Sequence, residues 1–297
     1  AVKAKHGEAW EALTASQRQE FLLVVEIDCW HHLRNVWLDA SISALSSHVA
    51  EQLADSLSQF GAVQRVTCDL VGFLRAIDKC FSAMGHYAKG HGNDDFWPWM
   101  ERRYPKEFVL RTLRANGSRQ DFCVEGAAPV LMMVVYFLEW LDERMRGVGY
   151  SNILEECLFV QLTCVEMSEQ LRVAAILDFA VSRPIRWLTG KSHELSAEGW
   201  SPMCMNKVAD LLLAGCKQLD EDASLFLDER FMLHMFDDLL EQLPSFKAYL
   251  RHIYHDETVK SLDGKVQFKR GVELRRRLFL AADDEAGETD ALAVDYG

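Results

Sequence analysis

Several patterns that commonly reveal a function are missing from this 297-residue sequence. None of its eight cysteines stands in a C-x-x-C pair, so the usual zinc-finger spacings are absent. It contains neither a G-x-S-x-G nucleophile elbow nor a phosphate-binding loop signature. The net charge of -13 argues against a grip on nucleic acid by the whole surface, because phosphate binding needs clustered Lys and Arg. A local basic stripe remains compatible with that total.

Long hydrophobic runs are also lacking. The longest, residues 127–138, has about 12 residues, whereas a membrane span needs roughly 20. The first twenty residues hold no continuous apolar block of the kind that marks a signal peptide. We therefore expect a buried helix at 127–138 and no membrane partner.

The cysteines lie mostly inside apolar helical patterns, where a free thiol behaves as a small hydrophobe. A long chain without a disulfide-scaffold pattern is typical of a reducing compartment, so we expect an intracellular protein. We predict that all eight cysteines are reduced and that Cys157, Cys164 and Cys216 are buried on helix faces.

Apolar residues recur at three- and four-residue spacing along most of the chain, which predicts an all-α fold of roughly ten helices. The clearest stripes cover residues 30–61, 70–81 and 127–146. A stretch of nearly 30 residues, 152–181, is long enough that we expect it to bend or break once. The short run at 22–27 fits either a single strand or a buried helical turn, which periodicity does not separate.

The chain reads as a single multi-helical domain over 1–280, followed by an acidic tail at 281–297 that is short of bulky apolar residues and predicted to be disordered. Arg183-Pro184 is expected to end the preceding helix. Residues 185–200 are predicted to be irregular, with a sub-boundary near 182–202.

Groups capable of chemistry are densest in the segment LLVVEIDCWHHLRNVWL. Carboxylate, thiolate and imidazole are good metal ligands, so Asp28, Cys29 and His32 are the candidate site for a divalent metal. Asp28 and His32 are spaced at i and i+4, whereas the adjacent His31 points about 100° away on a helix. The structural alternative is a capped helix start with a half-buried His32.

Two weaker groups have metal-binding residue types. Cys80, His86 and His91 flank the glycine-rich stretch GHYAKGHG, and His252 with His255 stand at i and i+3. The alternatives are a packed loop in the first case and an exposed helix end in the second.

A basic stretch is the candidate nucleic-acid surface. Its members are Arg102, Arg103, Lys106, Arg111, Arg114 and Arg119. Nearby Trp99, Tyr104 and Phe108 would stack on unpaired bases, which favours single-stranded or distorted DNA. A second basic cluster occupies 269–277. The alternative for both is a solvated charged face.

An apolar run that ends in an acid, then Cys29-x-x-His32, then a long helix, resembles the middle of a hAT-type transposase. In that family the second acid of an RNase H-like core precedes a C-x-x-H motif, which implies that Asp28 or Glu26 is catalytic. The family also has an Arg-Trp motif in a helical insertion domain, which Arg186-Trp187 matches.

The set DCWHHLRNVW, YAKGHG, GSRQDFCVEGAAPV and RPIRWL also resembles a multi-copy family of microalgal proteins, and multi-copy behaviour suits a mobile element. Only 27 residues precede Asp28, so the first catalytic acid is missing from its expected upstream place. Glu194 and Glu198 are the acids nearest the Arg-Trp motif. The resemblance therefore implies mostly the helical portion of a larger enzyme, without a full two-metal acid set.

Three functions follow from these patterns. The first is a transposase-like, mobile-element-derived protein that is not catalytically complete, whose helical region supports DNA contact or self-association. This function implies a nuclear location. The second is a non-catalytic helical scaffold or protein-interaction module. The third is a metal enzyme that uses the cluster at 28–32.

Overall fold

The computed structural model describes residues 70–81, 93–110, 120–147, 153–191, 194–201 and 204–279, with a few isolated positions before residue 48. Most of these residues are helical. The predicted all-α fold class is confirmed. The α-helices, in chain order, are α1 (Leu70–Phe81), α2 (Asn93–Arg103), α3 (Gln120–Arg146), α4 (Ile153–Leu162), α5 (Val165–Ile176), α6 (Arg183–Gly190), α7 (Met205–Glu221), α8 (Glu229–Leu233), α9 (Asp237–Leu240), α10 (Pro244–Arg251) and α11 (Arg270–Leu278). The run at 22–27, for which a strand and a helical turn were both open, and the predicted tail at 281–297 lie outside the described residues.

Shorter elements connect these helices. Two are π-helical turns, π1 (Leu177–Ser182) and π2 (His252–Asp256), and two are 3₁₀ turns, Glu194–Glu198 and Ala223–Leu227. Two three-residue strands, β1 (Thr258–Lys260) and β2 (Gln267–Lys269), pair antiparallel.

Helix α3 forms the centre of the core and packs against α1, α4 and α5. Aromatic side chains join it to its neighbours: Phe81 of α1 stacks on Phe137 at 4.1 Å between ring centroids, and Phe96 of α2 lies 5.0 Å from Phe81. The Trp97 indole N–H donates to the Phe81 carbonyl at 2.8 Å. Each of the three phenylalanines is fully buried, which stabilises the fold by about 1.5–3 kcal/mol per side chain.

The apolar character of α3 reflects this central position. Residues 127–138 are largely buried, as predicted. Among the described helices, only Val124–Arg146 is long and apolar enough to span a membrane, and 61% of its most apolar window is buried inside the protein. The core helix of a soluble protein passes the same test, so the absence of a membrane partner stays a prediction.

The helical stretch after residue 152 departs from expectation at its end. It breaks once, as predicted, at Thr163 and Cys164 between α4 and α5. The predicted stop at Arg183-Pro184 is wrong, because α5 continues through π1 into α6. Pro184 stands in the first turn of α6, directly after π1, and the fixed φ of proline suits a helical residue there. The start of the stretch 185–200 is therefore helical rather than irregular.

The β1–β2 hairpin was not predicted. Its strands are too short for alternation to show, with only Val259 and Phe268 half-buried. The local signal is Asp263-Gly264, a turn dipeptide in which Gly264 adopts a φ of 71° that favours glycine.

Cys80, Cys157, Cys164, Cys204 and Cys216 are free, and the reduced state of all eight cysteines stays a prediction. The predicted burial of three of them is wrong: Cys157 and Cys164 are half-buried and Cys216 is exposed. On α7 the buried residues are only Met205, Val208 and Gly215, and Cys216 is turned about 100° from Gly215. Because the buried stripe of α7 is narrow, Cys216 lies in solvent.

Candidate functional site: an arginine pocket beside two π-helical turns

The predicted metal residues Asp28, Cys29 and His32, with Glu26, lie outside the described residues, as do His86 and His91. Among the residues that the structure describes, no group of three or more His, Cys, Asp or Glu side chains is placed to hold a metal ion.

The other predicted metal-binding residues are described but not clustered. His252 and His255 are exposed on π2, and Cys80 is buried in α1. Glu194 pairs with Lys191 at 2.7 Å, and the Glu198 carboxylate accepts the Ser245 N–H at 3.2 Å.

The predicted nucleic-acid residues fall into three groups. Arg102 and Lys106 are exposed. Arg103 forms ion pairs with Glu139 and Glu143 of α3. Arg111, Arg114 and Arg119 lie outside the described residues.

Arg103 belongs to a network that we call the clamp, which joins α2, α3 and α4 through Asp95, Trp99, Arg103, Tyr104, Glu139, Glu143, Arg144 and Glu155. The Trp99 indole N–H donates to Glu143 at 2.9 Å, and the Tyr104 hydroxyl donates to Glu139. Glu139 and Glu143 therefore each accept from Arg103 and from an aromatic donor, which is the arrangement of a structural tie.

The second cluster of arginines and carboxylates lies at the other end of α3 and opens onto a cleft of about 460 Å³. We call it the arginine pocket; its lining residues are Glu125, Pro129, Arg183, Arg186, Tyr249, Ile253, Glu257 and Arg270. They come from α3, α6, α10, π2, the residue after π2 and the start of α11. Packing alone brings these distant segments of sequence together.

The two π-helical turns place much of this pocket. Such turns are rare and occur frequently at functional sites. Arg183 follows π1 directly, and Ile253 belongs to π2. Phe179 of π1 packs against Tyr254 of π2 with ring centroids 5.0 Å apart, so the two turns support each other.

Asp178 of π1 is the buried anchor of the cluster. Its carboxylate is fully buried, and Oδ2 accepts a hydrogen bond from Arg183 Nε at 2.7 Å. Oδ1 lies 3.6 Å from a terminal nitrogen of Arg186, which also pairs with Glu125. Burial alone would lower the pKa of Arg183, but the attraction of Asp178 outweighs it and raises that pKa. The Arg183 guanidinium is thus held charged in a nearly dry position.

Hydrogen-bonding capacity remains at the pocket wall. Arg183 uses only Nε, and its two terminal nitrogens make no hydrogen bond to any described residue. Arg270 donates one terminal nitrogen to Glu257 at 2.8 Å. In a regular helix the N–H of residue 129 would donate to the Glu125 carbonyl, but Pro129 has no N–H for this hydrogen bond.

Tyr249 supplies the aromatic wall. Its ring stacks on Trp187 with centroids 4.7 Å apart and planes 12° from parallel. Burial raises the pKa of Tyr249, and Arg183 and Arg186 only partly oppose this effect. The phenol therefore stays neutral and remains a hydrogen-bond donor at physiological pH.

The approach of α11 depends on one glycine. A Cβ on Gly271 would lie 2.4 Å from the carbonyl oxygens of Ile253 and Tyr254, so only glycine fits against π2. The Arg270 N–H donates to the Glu257 carbonyl at 2.8 Å. This contact fixes Arg270 at the pocket.

The sequence pointed to only part of this site. Arg186-Trp187 was singled out by resemblance, and Arg270 by its basic cluster, but Glu125, Asp178, Arg183 and Tyr249 were missed. One signal was available: Asp178 is a lone acid inside the apolar stretch AAILDFAV, and a buried acid needs a partner.

Comparison with known proteins gives no relative from which to transfer a role. No family model matches the chain, and neither curated proteins nor solved structures give a match. The fold and the site define an all-α protein with a polar, arginine-lined pocket.

Proposed function

We propose that this protein is a binding module that holds a small polar ligand with an acidic group in the arginine pocket. The proposal develops the non-catalytic alternative and assigns the binding to a cleft. The observation that carries it is the state of Arg183, which is 13% exposed, is held by Asp178 through Nε, and has two unused terminal nitrogens beside a cavity.

This geometry suits recognition of an oxyanion. A guanidinium whose Nε is already fixed presents its terminal nitrogens in a rigid plane, so little side-chain entropy is lost when a ligand binds. A hydrogen bond to a charged group contributes about 1.5–3 kcal/mol. Arg270 and the neutral Tyr249 hydroxyl are further donors around the same cavity.

The acids at the pocket restrict the ligand further. Three arginines face Asp178, Glu125 and Glu257, so the cluster is formally neutral and gives no strong general attraction for a multivalent anion. The second oxygen of Glu257 makes no hydrogen bond to a described residue and is available to a donor. A ligand with both an acidic group and N–H donors, such as an amino acid, would bind the arginine donors with its acid and the Glu257 oxygen with its N–H groups. A volume of about 460 Å³ is in the range of small-molecule sites.

A thermal unfolding screen tests the proposal. The panel contains the common amino acids, succinate as an acid without N–H donors, and inorganic phosphate. We expect at least one amino acid to raise the melting temperature in a saturable way, and succinate and phosphate to raise it less. If no acid in the panel stabilises the protein at millimolar concentration, the proposed function is wrong.

A further inference from the structure

A second cleft of about 380 Å³ lies next to the arginine pocket, across π2. Ile253 lines the arginine pocket, whereas the next two residues, Tyr254 and His255, line this cleft. We call it the leucine cleft, after the three leucines among its lining residues, Glu229, Arg230, Leu233, His234, Asp237, Leu240, Lys247, Leu250, Arg251, Tyr254, His255 and Arg275. It lies among α8, α9, α10 and α11.

The leucine cleft combines an apolar interior with a charged rim. Leu233 and Leu250 are buried, and Leu240 is half-buried. Arg230 and Lys247, by contrast, are exposed. A ligand that fills such a cleft places its apolar part on the leucines and its polar part at the rim.

The charges of the rim are not balanced. Arg275 pairs with Glu229 at 3.0 Å, Arg251 pairs with Asp256 at 3.4 Å, and His234 contacts Asp237 at 2.6 Å. Neither Arg230 nor Lys247 forms an ion pair with a described residue. In a chain of net charge -13, this local positive excess favours an anion.

Two of the lining residues also carry a buried donor atom. The Tyr254 hydroxyl and Arg275 Nε are buried and have no hydrogen-bond partner among the described residues. Burial raises the pKa of Tyr254, so its hydroxyl remains a donor. Both donors add to the positive character of the cleft.

We propose that the leucine cleft binds an organic anion with an apolar body and a carboxylate head group. The apolar body lies on Leu233, Leu240 and Leu250, and the carboxylate lies at Lys247 and Arg230. This site is independent of the proposed function, since it shares no lining residue with the arginine pocket.

The test uses naphthalene-2-carboxylate as the probe, with its own fluorescence as the readout, and naphthalene-2-carboxamide as the uncharged comparison. We expect saturable binding of the carboxylate. Lys247→Glu and Arg230→Glu should each weaken it by about tenfold, the effect of losing one charge-assisted contact. The matched control is Lys217→Glu, an exposed lysine on α7 outside the cleft, which should leave binding unchanged. Circular dichroism checks that each variant is folded.

Three outcomes would overturn the proposal. One is equal binding of the carboxamide, which would remove the role of the charge. Another is probe binding that Lys247→Glu and Arg230→Glu leave unchanged. The third is loss of probe binding in Arg270→Gln alone, which would move the anion to the arginine pocket.

Discussion

The clamp and the arginine pocket are built from the same kinds of residue, at opposite ends of α3. Each combines arginines, carboxylates and aromatic rings. In the clamp, Arg103 and its partner Glu143 are 47% and 45% exposed, whereas Arg183 and Asp178 in the pocket are 13% and 0% exposed. Water screens the first pair strongly and the second far less.

The use of hydrogen bonds differs as well. Glu139 and Glu143 each receive two donors, so the clamp leaves little to offer a ligand. Arg183 retains two terminal nitrogens beside a cavity. Residue type alone therefore does not separate a structural tie from a binding site; burial and unused donors do.

The largest difference between the arginine pocket and the clamp is expected when one charge is removed from each. Asp178→Asn should lower the free energy of unfolding by about 3–5 kcal/mol, because it leaves the buried Arg183 charge uncompensated. Glu143→Gln, the matched change in the clamp, should cost at most about 1 kcal/mol, because that pair is exposed. Urea unfolding of both variants measures the difference. Equal losses would contradict the assignment of different environments.

A second difference concerns the packing of α11 against π2, next to the arginine pocket. Gly271→Ala would put a methyl group against the backbone of π2 and should lower the free energy of unfolding by about 1–3 kcal/mol. Gly190→Ala is the control, because a Cβ there meets no atom within 4 Å. We expect that change to be neutral or slightly stabilising, as alanine is the better helix former. If Gly271→Ala is as stable as Gly190→Ala, the backbone of π2 moves aside at little cost and the expected clash is absent.

Much of the helical fold could be predicted from periodicity. Helix α1 and the buried part of α3 follow from the apolar spacing at 70–81 and 127–146. The end of α5 could not, because Pro184 breaks a helix in its interior but suits a first turn, and the sequence does not say which turn it occupies.

The arginine pocket was harder to predict for two physical reasons. Asp178 and Arg183 are five residues apart, a spacing that a regular α-helix does not place on one face, and π1 intervenes. Glu125, Tyr249 and Arg270 join them only through tertiary packing. The clamp was misleading in the opposite way, since Arg103 belongs to a conspicuous basic run but is tied to α3.

The DNA contact inferred from that basic run stays a prediction, and it sharpens the comparison. If DNA binds, Arg111→Glu with Arg114→Glu should weaken binding by about tenfold or more at low salt. The reason is that binding releases one counterion fewer for each phosphate contact that is lost. Arg103→Gln should have a much smaller effect, since Arg103 is neutralised within the clamp. Titration of labelled single-stranded DNA at two salt concentrations measures both. Absence of binding at low salt would remove the nucleic-acid function.

The smallest expected effects come from deleting one hydroxyl in each cluster. Tyr249→Phe keeps the stack on Trp187 and should change stability by less than about 0.5 kcal/mol, but it should weaken ligand binding severalfold. Tyr104→Phe loses the hydrogen bond to Glu139 and should cost about 0.5–1.5 kcal/mol of stability without affecting the ligand. Thermal unfolding with and without the ligand separates the two. The opposite pattern would mean that the phenols have exchanged roles.

The central claim is that the arginine pocket, and not the clamp, is the binding site. Calorimetric titration of the best amino acid from the thermal screen tests it, with wild type, Arg270→Gln and Arg103→Gln compared under one condition. Each variant removes one guanidinium that pairs with a glutamate. We predict that Arg270→Gln weakens binding by about tenfold or more and that Arg103→Gln leaves it unchanged. Equal affinity in all three proteins, or a loss confined to Arg103→Gln, would contradict the claim.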